Sequence, residues 1–375
     1  MASASLGSLL TFSHLLAEPL PGLREPAPAP VAPAPSAPAA DPQKKSSGPA
    51  SPAGNPAPAA AAPAFDLAAV RKAAESGEPA AQVDLADAML SGKVPGSKPE
   101  EAFKCLEKAA DAGFAPGQFA LARLLSIGIP GVKVDVERAK FLASQAAEAA
   151  FPPAQTLYGS FLEAEIDPRG RDLDYSEPLK WYRMAAEKGD IEAKARLGMM
   201  ILNGKGLPAE PVKGRAMLAE AAQAGNPMAL NEIGVCLQNG LAGARDETAA
   251  IGYFYAASEL GNIAALVNLG SSYEQGRGVP RNFDLAGSFY SKAAKAGHAS
   301  AQFALGRLFE EGLGTARNPV FAFVNYSRAA GRIPAAAARR ELIRNILSKD
   351  QMAEAEKVLS GKSEAPTSGK SLQGM

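Results

Sequence analysis

Gly189, Gly225, Gly261 and Gly297 stand 36 residues apart, and Gly77 and Gly113 keep the same interval. A fixed period of this length marks a repeat array. Each unit is one supersecondary element that cannot bury its apolar face alone, so neighbours stack into a continuous core. The stretch between Gly113 and Gly189 carries small insertions, with Ala150 in the glycine place. The period outweighs length as a guide, since 375 residues alone would suggest two ordinary domains.

The content of one unit sets its fold. After Gly261-Asn262 come Ala265, Leu269-Gly270 and Tyr273, spaced so that one helical face is apolar. Gly276 and Gly278 end that helix, because the residue past the last turn commonly adopts a left-handed conformation. Asn282 supplies the short side-chain oxygen that caps a second helix, whose stripe is Ala286, Phe289-Tyr290 and Ala293-Ala294. The same grammar gives seven helix–turn–helix units from Gly77 to Ala330, looser in the first three. Aromatics make up only 6% of the chain while Ala and Gly abound, so the helices are expected to pack closely through small side chains.

The ends differ in material. Asp66 to Ser76 reads as a lone second-half helix ahead of the first unit. Residues 334–361 read as charged capping helices, Pro334 to Leu347 and Lys349 to Leu359, because a terminal unit has one face no neighbour covers. Residues 362–375 read as a frayed tail. Residues 18–64, rich in Pro, Ala, Ser and Gly, read as an extended linker with nothing to offset ordering entropy. Residues 1–17 form a short apolar segment of export-signal length, with no Lys or Arg ahead of it and no clean cleavage site behind. Export to the periplasm or envelope and a cytoplasmic location both stay open.

The string Ala-x-x-x-Leu-Gly-x-x-Tyr-x-x-Gly-x-Gly-Val, then Ala-x-x-Trp-Tyr-x-x-Ala-Ala-x-x-Gly, resembles the Sel-one-like repeat family, a branch of the tetratricopeptide-like helical solenoids. The resemblance covers roughly residues 65–333. Ala150 and Ile333 depart from the boundary glycine, and Glu165 from the turn glycine. The resemblance implies an all-α fold, a right-handed α/α superhelical solenoid of about seven pairs. It also implies an adaptor role in assembly, stress or envelope processes, especially in bacteria. Cysteine-rich members with paired cysteines in each repeat have been linked to penicillin binding and β-lactam hydrolysis. This chain has only Cys105 and Cys236, in distant units, and no Ser-x-x-Lys string.

No catalytic, cofactor-binding or metal-ligating residue is assigned. Gly276-Arg277-Gly278 and Gly204-Lys205-Gly206 look like pieces of phosphate loops, but a phosphate loop opens a helix and these close one. His14 and His298 are the only histidines, and His298 takes the helix-start place held elsewhere by Asn226 and Asn262. The carboxylates Glu163, Glu165, Glu310 and Glu311 read as solvated helix ends. Basic and acidic side chains balance at 39 each, which leaves no overall field for nucleic acid or an anionic membrane. No run of apolar residues is long enough for an integral membrane helix.

Solenoids bind along their inner surface, which the first helix of each pair is expected to line. The polar positions on those helices are the partner-binding candidates: Gln82, Gln118, Arg123, Arg196, Asn231, Asn268, Gln302 and Arg307, with Gln155 in the same register as the glutamines. Mixed polar groups without aromatic anchors suit an extended protein or peptide partner better than a deep small-molecule pocket. The expected function is therefore a non-enzymatic protein–protein scaffold or adaptor. The alternative is an envelope-associated enzyme or a glycan- or peptidoglycan-binding protein. The sequence sets no oligomeric state.

Overall fold

A computed structural model describes residues 66–166 and 173–361. The apolar segment, the linker, residues 167–172 and the tail lie outside the described residues. Seventeen α-helices and no named strand occur among those described. A lone helix, α1 (Leu67–Glu75), precedes seven pairs. They are α2 (Pro79–Leu90) with α3 (Pro99–Asp111), α4 (Ala115–Ile127) with α5 (Val136–Glu148), and α6 (Pro152–Glu165) with α7 (Ser176–Glu187). Then follow α8 (Ile191–Asn203) with α9 (Pro211–Gln223), α10 (Pro227–Asn239) with α11 (Glu247–Glu259), α12 (Ile263–Gln275) with α13 (Phe283–Lys295), and α14 (Ala299–Glu311) with α15 (Pro319–Ala329). Two further helices, α16 (Pro334–Arg344) and α17 (Lys349–Leu359), both pack on α15.

The helix starts follow the short polar side chains. Asn226, Asn262, Asn282 and Asn318 each accept a hydrogen bond from the backbone N–H three residues on, as do Asp135, Asp190 and Asp246. His298 holds the same place before α14 but makes no side-chain capping bond. The boundary glycines fold back in the left-handed region, Gly297 at φ 82° for example, and a Cβ there would meet nothing. Conformation alone therefore selects glycine at the boundary. Ala150, which takes the same place at φ 62°, bears the strain of an alanine in that region.

Each helix packs on the one before and the one after, so the core runs along the array instead of gathering at a centre. Its thinnest points are fully buried alanines such as Ala154, Ala193, Ala229, Ala265 and Ala301, one per first helix. Beside them the glycine of the Leu-Gly pair admits a ring from the partner helix. A Cβ on Gly270 would lie 2.6 Å from the Tyr290 ring, and one on Gly306 would lie 2.8 Å from Tyr326. Where Leu218 replaces the ring, α8 and α9 approach through Gly198 and Gly214 until backbone nearly meets backbone.

Successive first helices also touch one another, α2 with α4, α4 with α6, α6 with α8 and α8 with α10, and successive second helices make no comparable approach. The first helices thus form the closer row from α2 to α10, and their side of the array is called the inner face. Both cysteines are free, Cys236 buried and Cys105 half-buried, and burial pushes each thiol above its ordinary pKa. No helix among the described residues is long and apolar enough to cross a membrane.

Candidate functional site: the inner face of the array

The four register glutamines face the stack and not the solvent. Gln82, Gln155 and Gln302 are buried, and each Nε2 donates to a carbonyl in the last turn of the preceding second helix: Ala74 at 3.4 Å, Ala147 at 3.2 Å and Ala294 at 3.2 Å. Gln118, also buried, donates to Gln145 Oε1 at 3.2 Å. These side chains staple one unit to the next. Asn231 is likewise buried; it accepts from Asn268 Nδ2 at 2.8 Å and donates to Glu232 Oε1 at 3.0 Å. Burial holds the Glu232 carboxyl above the usual carboxylate range, with the Asn231 bond opposing. Gln82, Gln118, Gln302 and Asn231 thus do not have the exposure expected of them, because carbonyls at helix ends between packed units need donors.

The arginines lie on the surface of the inner face but are engaged. Arg196 Nε bonds Glu192 Oε1 at 3.0 Å and its guanidinium sits 3.9 Å from Glu163 Oε2. Burial acts against its charge, and Glu192, Tyr182 and Glu163 outweigh that, so its pKa rises. Arg307 pairs with Glu274 and Glu311 and is raised in the same way. Arg123 lies over the Phe119 ring at 5.7 Å. Burial lowers its pKa, with Glu192 of α8 opposing.

Glu163 and Glu310 are not solvated helix ends. Each belongs to a latch that recurs three times. Tyr182 Oη donates to Glu163 at 2.9 Å, Tyr290 Oη to Glu274 at 2.9 Å and Tyr326 Oη to Glu310 at 2.5 Å. The same three carboxylates meet an arginine of the following unit: Arg196, Arg307 and Arg339. The signal was present in the sequence as a correlation between positions. Units with tyrosine on the second helix carry glutamate four residues after the first-helix glycine, whereas Phe254 goes with Gln238 and Leu218 with Leu202.

Burial, followed by the neighbouring carboxylates in the cases of Tyr290 and Tyr326, pushes the latch phenols well above the ordinary tyrosine pKa, and at Tyr182 burial is again the largest cause. A folded pKa above the unfolded value means that this stabilisation is complete below about pH 10, where unfolded tyrosine ionises, and is lost as pH rises beyond it. Three of the eight tyrosines are therefore expected to stay un-ionised in an alkaline titration until the chain unfolds. Ultraviolet tyrosinate absorbance reads this directly. Smooth ionisation of all eight near pH 10 would contradict the latch.

Between α6, α8 and α10 the inner face opens into a recess lined by Glu163, Arg196, Met199, Met200, Asn203, Lys205 and Met228. Lys205 Nζ stands 3.4 Å from Glu163 Oε1. A second recess, between α2 and α4, is lined by Val83, Asp87, Leu106, Phe119, Arg123 and Ile127 among others, with Ile127 exposed. Their volumes, about 60 and 30 Å³, are far below the roughly 300–1,000 Å³ of small-molecule pockets. The methionines matter here because an unbranched thioether side chain adapts its shape to an incoming surface. Sequence reasoning missed Met199, Met228 and Lys205, which fall outside the polar positions it weighed. Among the described residues no group of three or more His, Cys, Asp or Glu is placed to hold a metal ion.

The Sel1 repeat matches at residues 79–114, 115–151, 152–190, 191–226, 227–262, 263–298 and 299–332. Each match holds one first helix and one second helix of the pairs described above. No curated protein matches the chain. Among solved structures, the chain is similar to a protective antigen of uropathogenic Escherichia coli that displays an SLR fold, at 24% identity over 80% of this chain and 65% of that one, with a TM-score of 0.46. It is also similar to a Sel1 repeat protein of Oxalobacter formigenes, at 25% identity over 74% of this chain and 80% of that one, TM-score 0.48. A third, a Sel1 repeat protein of Klebsiella pneumoniae, shares 21% identity over 55% of this chain and 98% of that one, TM-score 0.41. The chain spans less than two thirds of the length of the Escherichia coli antigen. With seven consecutive repeats matched over more than half of its length, the chain belongs to the Sel1 repeat family.

Proposed function

We propose that this protein is a non-enzymatic scaffold that holds a protein or peptide partner on the inner face of the array. Sel1 and tetratricopeptide-like repeat proteins generally mediate protein–protein interactions. One observation favours the inner face. The recess between α6, α8 and α10 combines half-buried Met199 and Met228 with the exposed Lys205 and Asn203, an apolar floor with a polar rim. That is the composition of a protein-binding surface, and its volume leaves no room for a drug-sized ligand. Of the positions singled out from sequence, Arg123, Arg196, Asn268 and Arg307 remain candidates for partner contact. Gln82, Gln118, Gln302 and Asn231 act through the fold that presents them.

The test is affinity capture with the full chain and three variants. Met199→Lys and Lys205→Glu are expected to lose a protein that the wild type retains, and Val212→Glu, on the exposed side of α9, is expected to keep it. Loss with Val212→Glu and retention by the other two would place the partner elsewhere.

A further inference from the structure

Asn203, Asn239 and Gln275 stand 36 residues apart, each the last residue of a first helix, in α8, α10 and α12. Each directly precedes a left-handed cap glycine, and each is exposed. Their amides are held in matching ways. Asn203 Nδ2 donates to Met199 O at 2.9 Å, Asn239 Nδ2 to Val235 O at 3.0 Å, and Gln275 Nε2 to Ser271 Oγ at 2.9 Å. One N–H of each amide is thereby anchored four residues back. An amide has two donors and two lone pairs, so among the described residues the other N–H and an oxygen lone pair of each stay available. At Asn239 one of those lone pairs accepts from Arg277 Nη2 at 3.2 Å, which leaves the second.

We propose that these three amides bind the main chain of an extended peptide segment of a protein partner, laid across α8, α10 and α12. This rests on the inner-face reading above and adds the chemistry of the contact. A peptide bond offers one N–H and one C=O, and a side-chain amide is its complement in both. Packed helix axes lie about 10 Å apart and an extended chain advances about 3.3 Å per residue. The row therefore meets every third residue of a segment of about nine.

The row has ends. The corresponding residue is Ala164 in α6, and in α14 it is Glu311, which lies 3.9 Å from Arg307. One turn before each amide lie Met199, Val235 and Ser271, all half-buried, so the floor under the segment grades from apolar to polar. Main-chain contact makes the recognition tolerant of sequence, and the apolar preference falls at the Met199 and Met228 end.

The experiment pans a phage library of random peptides of about nine residues on the full chain, then measures synthetic copies of the enriched peptides by fluorescence anisotropy. The triple variant Asn203→Ala, Asn239→Ala, Gln275→Ala, checked for unchanged circular dichroism, is expected to weaken binding about tenfold or more. Peptides N-methylated at every third residue are expected to weaken likewise on the wild-type chain. Binding within about twofold on the triple variant overturns the amide row. If those same peptides are lost on Met199→Lys, the inner-face reading stands and only the row falls; if they are retained there too, both fall. Failure to enrich any peptide also overturns the row.

Discussion

Replacing Glu274 by alanine is expected to destabilise the C-terminal half of the array by roughly 3 kcal/mol. The Glu274 side chain is only 10% exposed and it serves two units at once: it accepts from Tyr290 Oη within its own pair and pairs with Arg307 of the next. Its removal leaves a guanidinium and a phenol facing each other with the acceptor gone. Breaking such a pair costs more than the pair contributes, because the survivor stays desolvated. Removing all three groups together, as Glu274→Ala with Tyr290→Phe and Arg307→Met, is expected to recover part of the loss. Urea unfolding gives the energy and hydrogen exchange gives its location, which should centre on α12 to α15. A loss below about 0.5 kcal/mol would mean that the latch behaves as an ordinary surface ion pair.

Gly278→Ala is expected to cost roughly 3 kcal/mol, whereas Gly297→Ala is expected to cost only roughly 1. Both glycines are left-handed, at φ 73° and 82°. They differ in surroundings. A Cβ on Gly297 meets open space, while one on Gly278 runs into the backbone carbonyl of Glu247 at the start of the preceding second helix. A flexible side chain could move aside, but the backbone of α11 moves only with its unit. Gly314 repeats the arrangement against Phe283 and Asp284. The second glycine of the turn is thus a contact between units, and the boundary glycine answers to conformation alone. Equal losses for the two variants, read by thermal unfolding, would contradict that division.

The period and its punctuation made the fold legible. Helices, turns, asparagine caps and the alanine stripe all follow from residues that recur, and a recurring residue reports a constraint met in every unit. The same logic misread the glutamines. Gln82, Gln118 and Gln302 recur too, and recurrence pointed to the packing between units, where each is buried, and not to a surface. Glu163 and Glu310 were hidden for another reason. A carboxylate at a helix end looks solvated until the next unit delivers Arg196 or Arg339 and the partner helix delivers Tyr182 or Tyr326. Those contacts join residues far apart in sequence, which a helix-by-helix pattern does not display. Met199 and Met228 were passed over because apolar residues on a helix read as core, and only the packing of α6, α8 and α10 shows that they line a recess.

The proposed working surface lies on the side of the first helices, and photocrosslinking tests that most directly. A photoreactive amino acid replaces Met199 on the inner face, or Val212, which is 74% exposed on the second helix α9. Each full-length protein is then irradiated in the cells that naturally make it. The prediction is a discrete protein adduct from position 199 and none from position 212. An adduct from 212 with none from 199 would contradict the account.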